Sequence, residues 1–407
     1  MSLARALRPQ RRLLHVFEAF GLEIEYMLVR RDNLDVAPIA EQVLARRPEG
    51  GALAWSNELV RHVVELKNPQ PVTDLPALAA ALHTEVRAMN AALEAHGARL
   101  MPSAMHPWMD PSRETELWPR DNAVYRAYHR IFDCRSHGWA NLQSVHINLP
   151  FGDDAEFARL HAAVRLALPI IPAIAAASPF AEGRATGWLD SRLHVYDGNA
   201  SAVPQMNGEL VPEPMASRRQ YEREILAPLY RALERHDRQG LLRHEWANAR
   251  GAIARFERSA LEIRLMDAQE CPAADIAIAA AIIDLVWLLY RDGAPELPTA
   301  DLARVLRACM RDAERTEVEG SYAKTLTGQA DACSAGELWS RLAERMPDAP
   351  HRALWQPMVD RIIAHGPLAR RLLRAVGERP TRTQLAGLYA HLCECLQNGV
   401  SFDATSS

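Results

Sequence analysis

The stretch that decides the fold is Gly21-Leu22-Glu23-Ile24-Glu25-Tyr26-Met27-Leu28-Val29. Side chains alternate between the two faces of a β-strand, so an extended conformation places Glu23, Glu25 and Met27 on one face. The other face then carries four large, mainly apolar side chains, which is what a hydrophobic core requires. The sequence therefore predicts a strand that is buried on one side and displays two carboxylates about 7 Å apart on the other.

Glu23 and Glu25 would repel each other on a half-buried surface, and each would raise the pKa of the other. A bound divalent cation removes that conflict, and paired carboxylates with few neutral ligands suit Mg²⁺ or Mn²⁺. The alternative for this stretch alone is an edge strand whose acidic face lies in water. Whether Glu23 and Glu25 bind a cation or lie in water depends on the other polar side chains that the fold brings to this face.

The composition is that of a globular protein without a nucleic-acid surface. The chain has 407 residues and a net charge of −4, with 48% hydrophobic and 24% charged residues, so we expect neither nucleic acid nor a membrane as partner. Six scattered cysteines do not form a disulfide framework, which favours reduced thiols in the cytoplasm. Residues 1–14 lack the apolar region of a signal peptide. The window from Ile276 to Tyr290 is too short for a membrane span and contains Asp284, which predicts a buried core helix.

Three further stretches repeat the pattern of a polar face opposite an apolar face. The predicted strands are 58–67, 144–150, and a hairpin of 253–256 with 261–265. Their polar faces carry Glu65, then His146 with Asn148, then Glu262 with Arg264. One such strand is unremarkable, but four predict a sheet whose polar face lines a pocket and whose other face is covered by helices.

The rest of the chain is predicted to be mainly helix and loop. Helices are predicted over 11–20, 77–96, 121–132, from 154 with breaks at Pro169 and Pro172, over 219–238, and almost continuously over 272–398. Residues 192–196 are predicted as another strand, 102–119 and 197–214 as long loops, and the tail 401–407 as disordered. Without a repeat or a clear linker, we expect one domain over 1–407, with its sheet in about 17–270 and a helical part over about 272–398.

The candidate site is rich in carboxylates and contains a few arginines. The candidate side chains are Glu23, Glu25, Glu58, Glu65, His146, Glu262, Arg255, Arg264 and Asn148. Such a set suits divalent cations that bridge phosphate oxygens. The chain has no P-loop, no Gly-x-Gly-x-x-Gly after a strand and no serine nucleophile elbow, which disfavours those classes of site.

The motifs resemble, in type and order, those of the glutamate–cysteine ligase family 2. They are Gly-x-Glu-x-Glu at 21–25, Val-Glu-Leu-Lys at 64–67, the His-x-Asn strand at 146–148 and Glu-Ile-Arg-x-x-Asp at 262–267. The resemblance runs from about residue 17 to residue 290. The chain departs from the common family form at Ile24, where that form has a third acid.

The resemblance implies an α+β fold related to glutamine synthetase, with a curved, mainly antiparallel sheet that forms an open funnel and helices on the outer face. It implies an ATP-dependent carboxylate–amine ligase, by default joining glutamate to cysteine. In that reaction ATP passes its γ-phosphate to a carboxylate, and an amine then displaces phosphate from the acyl phosphate. The partners would be small molecules, and the resemblance leaves room for a homo-oligomer.

The resemblance also implies residue roles. The candidate ligands of Mg²⁺ or Mn²⁺ are Glu23, Glu25, Glu58, Glu65, His146 and Glu262. Arg264 and Arg255 are the candidate catalytic residues and, with Asn148 and Arg192, the candidate contacts to ATP. A structural ion pair is the alternative for Glu262 and Arg264. A phosphotransferase of guanidino-kinase type and a non-catalytic sensor of amino acids or nucleotides remain open as functions.

Overall fold

The computed structural model describes residues 12–47, 50–118 and 122–403. The strands are β1 Gly21–Arg30, β2 Ala54–Asn57, β3 Val63–Lys67, β4 Ala98–Met101, β5 Ser144–Pro150, β6 Phe180–Ala181, β7 Arg184–Ala185, β8 Ala252–Arg255, β9 Ala260–Asp267, β10 Glu317–Val318 and β11 Cys333–Ser334. The helices are α1 Ala40–Leu44, α2 Leu75–Glu94, α3 Pro111–Glu114, α4 Ala123–Phe132, α5 His137–Ala140, α6 Asp154–Ala167, α7 Ile171–Ala175, α8 Ser191–Asp197, α9 Arg218–Tyr221, α10 Ala227–Glu234, α11 Pro272–Asp292, α12 Thr299–Asp312, α13 Gly320–Thr327, α14 Ala335–Arg345, α15 Arg352–His365, α16 Leu368–Val376 and α17 Arg382–Asn398.

The main sheet is organised around β1, which pairs antiparallel with β3, β4 and β5. The strand order is β2-β3-β1-β5-β9-β8, with β4 also on β1. The register places Glu23 opposite both Lys67 and His146, and Glu25 opposite Glu65. The polar faces predicted from four separate stretches therefore lie side by side on one side of the sheet.

The other side of the sheet is the main hydrophobic core. Leu22, Ile24, Tyr26 and Leu28 are all buried, and they share one cluster with the apolar residues of α2, α6 and α11. The hydroxyl of Tyr26 donates to Asp275 Oδ2 over 3.5 Å and so joins β1 to the start of α11. This open antiparallel sheet with helices on its apolar face agrees with the predicted α+β class; that the whole chain is one domain stays a prediction.

The apolar helix predicted around Ile276 to Tyr290 is confirmed as a core helix, α11. Two segments, Pro272–Asp292 and Asp154–Ala175, are long and apolar enough to cross a membrane by composition, but 83% of each apolar window is buried inside the protein. All six cysteines are free and buried, which confirms that they form no disulfide framework.

Two of the predicted elements are wrong. Residues 12–20 form an irregular segment with a turn at 16–17 instead of a helix, and the φ of +63° at Phe17 is one that a right-handed helix does not allow; residue 11 lies outside the described residues. Residues 192–196 belong to the helix α8 instead of a strand. Asp190 begins that helix, since its side chain accepts a hydrogen bond from the Leu193 amide over 2.9 Å.

Three other boundaries differ from the prediction. The strand predicted over 58–67 begins only at Val63, so Glu58 lies in the connection between β2 and β3. The loop predicted over 102–119 contains α3, and residue 119 lies outside the described residues. The predicted disorder of 401–407 is wrong at Phe402, which is fully buried and whose carbonyl accepts from Arg371 Nη1 over 2.7 Å; residues 404–407 lie outside the described residues.

Candidate active site

The polar face of the main sheet lines a cavity of about 530 Å³. Nearly every predicted site residue lines it: Glu23, Glu25, Glu58, Glu65, His146, Arg192, Arg255, Glu262 and Arg264. Asn148 lies on the same sheet face, in register with Gly21 and Glu262, but is not among the side chains that line the cavity. The sheet thus brings together residues that are more than 200 positions apart in the chain.

Glu23, Glu65 and His146 form the centre of this cavity. Each offers one ligand atom, and these atoms all lie within 4.8 Å of one another. His146 Nδ1 lies 3.6 Å from Glu23 Oε2. Two carboxylates and an imidazole, with further carboxylates alongside, form a donor set that fits a divalent cation.

The pKa values of Glu65 and Glu58 are both raised, because each carboxylate is buried close to other carboxylates. Burial and the charge of Glu23 raise the pKa of Glu65 to about 7, although Ser56 Oγ donates to it over 2.6 Å and Lys67 forms an ion pair with it. Burial, together with Glu25 and Glu65, raises the pKa of Glu58 well above its usual range. The cluster therefore favours holding a proton near neutral pH in the absence of a cation.

Glu23 and His146 compensate each other. Burial raises the pKa of Glu23, but the hydrogen bond and charge of His146, together with Lys67 and Glu65, outweigh burial and hold that pKa below its usual range. Burial lowers the pKa of His146, and Glu23 and Glu25 reverse that effect and raise it. Ser144 orients both neighbours: its Oγ lies 2.9 Å from His146 Nε2, and its amide donates to Glu25 Oε2 over 2.7 Å.

Glu262 holds the two candidate catalytic arginines. It is 1% exposed, and it accepts from Arg255 Nη1 over 2.8 Å and from Arg264 Nε over 2.6 Å. Burial lowers the pKa of Arg264, but Glu262 raises it well above its usual value. The Nε of Arg255 is buried and has no hydrogen-bond partner within the described ranges. One carboxylate thus fixes two guanidinium groups, which keep further donors for a ligand.

Arg192 has a structural role in addition to lining the cavity. Its side chain is 3% exposed and forms an ion pair with Asp267, the last acid of the Glu-Ile-Arg-x-x-Asp motif. Asp267 Oδ2 also accepts from Ser178 Oγ and from the Ala177 amide, each over 2.8 Å. The pair therefore joins α8 to the end of β9, and a contact between Arg192 and ATP stays a prediction.

Asn148 keeps one atom for which the described residues provide no partner: its Oδ1 is buried without a hydrogen bond there. The Cβ of Asn148 packs closely on the backbone at Gly21. A Cβ added at position 21 would lie only 3.1 Å from the Cβ of Asn148. A glycine at position 21 is therefore what lets β5 approach β1 at this point. The predicted contact between Asn148 and ATP remains a prediction.

Two groups of cavity residues were missed by the sequence reasoning. Arg258, in the turn between β8 and β9, is half-exposed, and its Nη1 lies 3.4 Å from Glu23 Oε1. The only signal in the sequence was its place in a turn between two strands that carry site residues. The second group is a set of aromatic side chains from helices outside the sheet, which share no local pattern.

The protein thus has an open antiparallel sheet with helices on one face and an acid-rich cavity on the other. The model of the family "Glutamate-cysteine ligase family 2" matches residues 19–394. The chain therefore belongs to the glutamate–cysteine ligase family 2.

Of two similar proteins, one carries a name from this family. An uncharacterised protein of Archaeoglobus fulgidus is 31% identical over 386 residues, which cover 93% of this chain and 98% of the relative. A protein of Rubrobacter xylanophilus named "Putative glutamate--cysteine ligase 2-3" is 28% identical over 275 residues, or 64% of this chain and 66% of that protein.

Two solved structures share the fold. A crystal structure of glutamate–cysteine ligase from Francisella tularensis in complex with AMP matches with a TM-score of 0.64 at 10% identity, over 97% of this chain and 91% of that chain. A bifunctional glutathione synthetase from Pasteurella multocida matches with a TM-score of 0.63 at 16% identity, over 94% of this chain but only 52% of that chain. These likenesses confirm the predicted fold class.

Proposed function

We propose that this protein is an ATP-dependent carboxylate–amine ligase of the glutamate–cysteine ligase type, which forms an amide bond through an acyl phosphate. The observation that carries the proposal is the convergence of Glu23, Glu65 and His146 within 4.8 Å, beside two arginines held by Glu262. The membership of the family and the AMP bound to the Francisella tularensis structure support the proposal.

Glu23, Glu65 and His146 would hold a divalent cation, Mg²⁺ or Mn²⁺, with Glu25 and Glu58 beside them. Such a cation, when bound, neutralises charge on phosphate oxygens. The chain contributes by fixing these ligands on adjacent strands, where the register prevents them from moving apart. The buried ion pair between Lys67 and Glu65 balances part of the charge.

Arg255 and Arg264 would bind the substrate carboxylate and the phosphoryl group that it receives. In the first step a carboxylate oxygen bonds to the γ-phosphorus and ADP leaves; in the second the amine nitrogen, losing a proton, bonds to the acyl carbon and inorganic phosphate leaves. Neither step requires a protein nucleophile, so the barrier falls through positioning and through stabilisation of negative charge. Because both arginines are fixed on Glu262, they are already oriented before the substrate arrives.

A screen for phosphate release from Mg²⁺-ATP with pairs of amino acids and amines tests the proposal. A ligase releases phosphate only when a carboxylate and an amine are both present. A guanidino-kinase-type phosphotransferase yields ADP and a stable phosphorylated product, and a sensor binds without turnover. Either of those results would refute the proposal.

Glu23→Gln should abolish phosphate release while leaving the fold intact, because it removes a charged ligand at the centre of the cavity without changing its size. The matched control is Glu18→Gln, since Glu18 lies outside the cavity and pairs with Arg12. Circular dichroism and thermal unfolding check the fold. Normal turnover by the Glu23 variant would show that the metal assignment is wrong.

We also propose a cytoplasmic location and small-molecule partners alone. The six free, buried thiols suit a reducing compartment, and the net charge of −4 gives no reason to expect nucleic acid as a partner. Light scattering on the purified protein would determine whether it forms a homo-oligomer.

A further inference from the structure

Much of the cavity wall that does not come from the sheet is aromatic. The residues concerned, here called the aromatic wall, are Tyr125, Tyr128, Trp139, Tyr196 and Trp246. Aromatic residues make up only 6% of the chain, so five of them around one cavity require a reason. Cation binding and phosphoryl transfer, as proposed above, use none of these rings.

The rings of the aromatic wall are held in place by one another and by the backbone. The ring of Tyr128 lies 5.2 Å from that of Trp139 and 6.1 Å from that of Trp246, measured between centroids. Trp139 stacks on Phe132 at 5.1 Å, and its Nε1 donates to the carbonyl of Asn199 over 2.9 Å. A ligand that packs on these rings therefore does not have to order them first, which favours binding.

Part of the aromatic wall remains open to the cavity. Tyr125, Trp139, Tyr196 and Trp246 are all half-buried, whereas the apolar residues under the sheet are fully buried. Small-molecule sites are lined mainly by such apolar and aromatic groups, with a few polar groups that fix the orientation of the ligand. A cysteine side chain would cover little of this surface, whereas an aromatic group buries about 150–250 Å².

The aromatic wall lies close to the arginines that would hold the activated carboxylate. Burial raises the pKa of both Tyr128 and Tyr196, and the nearby charge of Arg264 opposes that rise. The attacking amine must reach the carbon of that carboxylate, so its substituent lies only a few bonds from Arg264. The adenine of ATP is separated from the transferred phosphoryl group by a ribose and two phosphates, and it therefore lies farther away.

We propose that the acceptor amine carries an aromatic or similarly flat apolar group that stacks on the aromatic wall. This substrate class rests on the proposed ligase function. The amine nitrogen points to the acyl carbon held at Arg264, and the ring packs on the parts of Trp139 and Trp246 that are open to the cavity. Cysteine is then a poor acceptor, because its small side chain leaves the rings in water.

Calorimetric titration of the full-length protein, with and without Mg²⁺-ADP, tests the proposal without any turnover. We expect phenethylamine to bind about tenfold or more tightly than propylamine or L-cysteine, since stacking adds to the burial of apolar area. Trp246→Ala and, independently, Tyr125→Leu should remove most of that preference. Trp188→Ala is the matched control, because Trp188 stacks on His194 outside this cavity, and it should leave phenethylamine affinity unchanged.

Tighter binding of cysteine than of phenethylamine would overturn the proposal. An affinity for ADP that falls in Trp246→Ala while phenethylamine affinity is unchanged would also overturn it, since the aromatic wall would then belong to the adenine. The proposed ligase reaction is tested by a different result from the one that tests the aromatic ligand class. If phenethylamine binds selectively but no amine supports phosphate release, the aromatic ligand class stands and the proposed reaction is rejected.

Discussion

Glu65→Gln should make the protein more stable at pH 8 without a cation and less responsive to one. Glu65 is 4% exposed, and burial together with the charge of Glu23 raises its pKa from 4.5 to about 7. The carboxyl group is ionised in the unfolded chain above pH 4.5 but keeps its proton in the folded protein up to about pH 7. A glutamine has the same size and removes this proton equilibrium.

The size of the effect follows from the pKa of Glu65. Because Glu65 keeps its proton in the folded protein but not in the unfolded chain between about pH 4.5 and about pH 7, its contribution lowers the stability as the pH rises through that window and is constant above it. At about 1.4 kcal/mol for each unit of pKa, the loss is about 3 kcal/mol. Glu58 has a raised pKa and adds to the loss, whereas the lowered pKa of Glu23 acts below pH 4.5.

Urea unfolding at pH 5 and pH 8, in EDTA and in millimolar Mn²⁺, measures both parts of the prediction. The wild-type protein should lose stability between the two pH values in EDTA and regain it with Mn²⁺ at pH 8, because a cation binds only the ionised ligands. Glu65→Gln should show a smaller pH loss and a weaker Mn²⁺ response. Glu85→Gln is the control, since Glu85 is equally buried but binds Trp55 Nε1 outside the cavity. Equal Mn²⁺ stabilisation of the wild type and Glu65→Gln would refute the reasoning.

Three further substitutions separate catalytic from structural roles. Arg264→Lys should lower kcat/KM for phosphate release about 10- to 100-fold, because an ammonium cannot keep the planar bond to Glu262 and also contact substrate; steady-state kinetics on the variant checks this. Asp267→Asn should cost about 3–5 kcal/mol of unfolding free energy, since it removes the ion-pair partner of the buried guanidinium of Arg192, and a loss below 1 kcal/mol by urea titration would contradict it. Arg258→Ala should reduce phosphate release while changing the unfolding free energy by less than about 0.5 kcal/mol, as its side chain is half-exposed; a merely structural residue would show the reverse.

The strands that carry the site could be predicted because each has one face in the core. Around Ile24, Ile147 and Ile263 the apolar residues recur at every second position, and all three side chains are fully buried. A shift by one residue would turn such a strand inside out, so the alternation alone determines which side chains face the cavity. The alternation does not show which strands are neighbours in the sheet. The prediction that these strands form one antiparallel sheet came from the resemblance of the ordered motifs to a known family.

The errors in the predicted fold and site have physical causes of the same kind. The segment 192–196 also alternates, but the side chain of Asp190 caps a helix there, and the alternation carries no information about that cap. The ion pair between Arg192 and Asp267 was not predicted because the two residues are 75 positions apart and leave no local signal; the contact between Arg192 and ATP stays a prediction. The aromatic wall was missed for the same reason, since its residues come from elements that are joined only in the folded chain.

The acids of the cavity cannot separate to relieve their repulsion, because the core holds them in place. Moving Glu23 away from its neighbours would require β1 to move, and the opposite face of β1 is fully packed, with Ile24 0% exposed. The repulsion must then be balanced by charge: by Lys67, by His146, and by a proton on Glu65. A cation that binds here displaces that proton. We therefore expect cation affinity to rise with pH through about 7, where the pKa of Glu65 lies, and to rise further as His146, whose pKa is also raised, loses its proton.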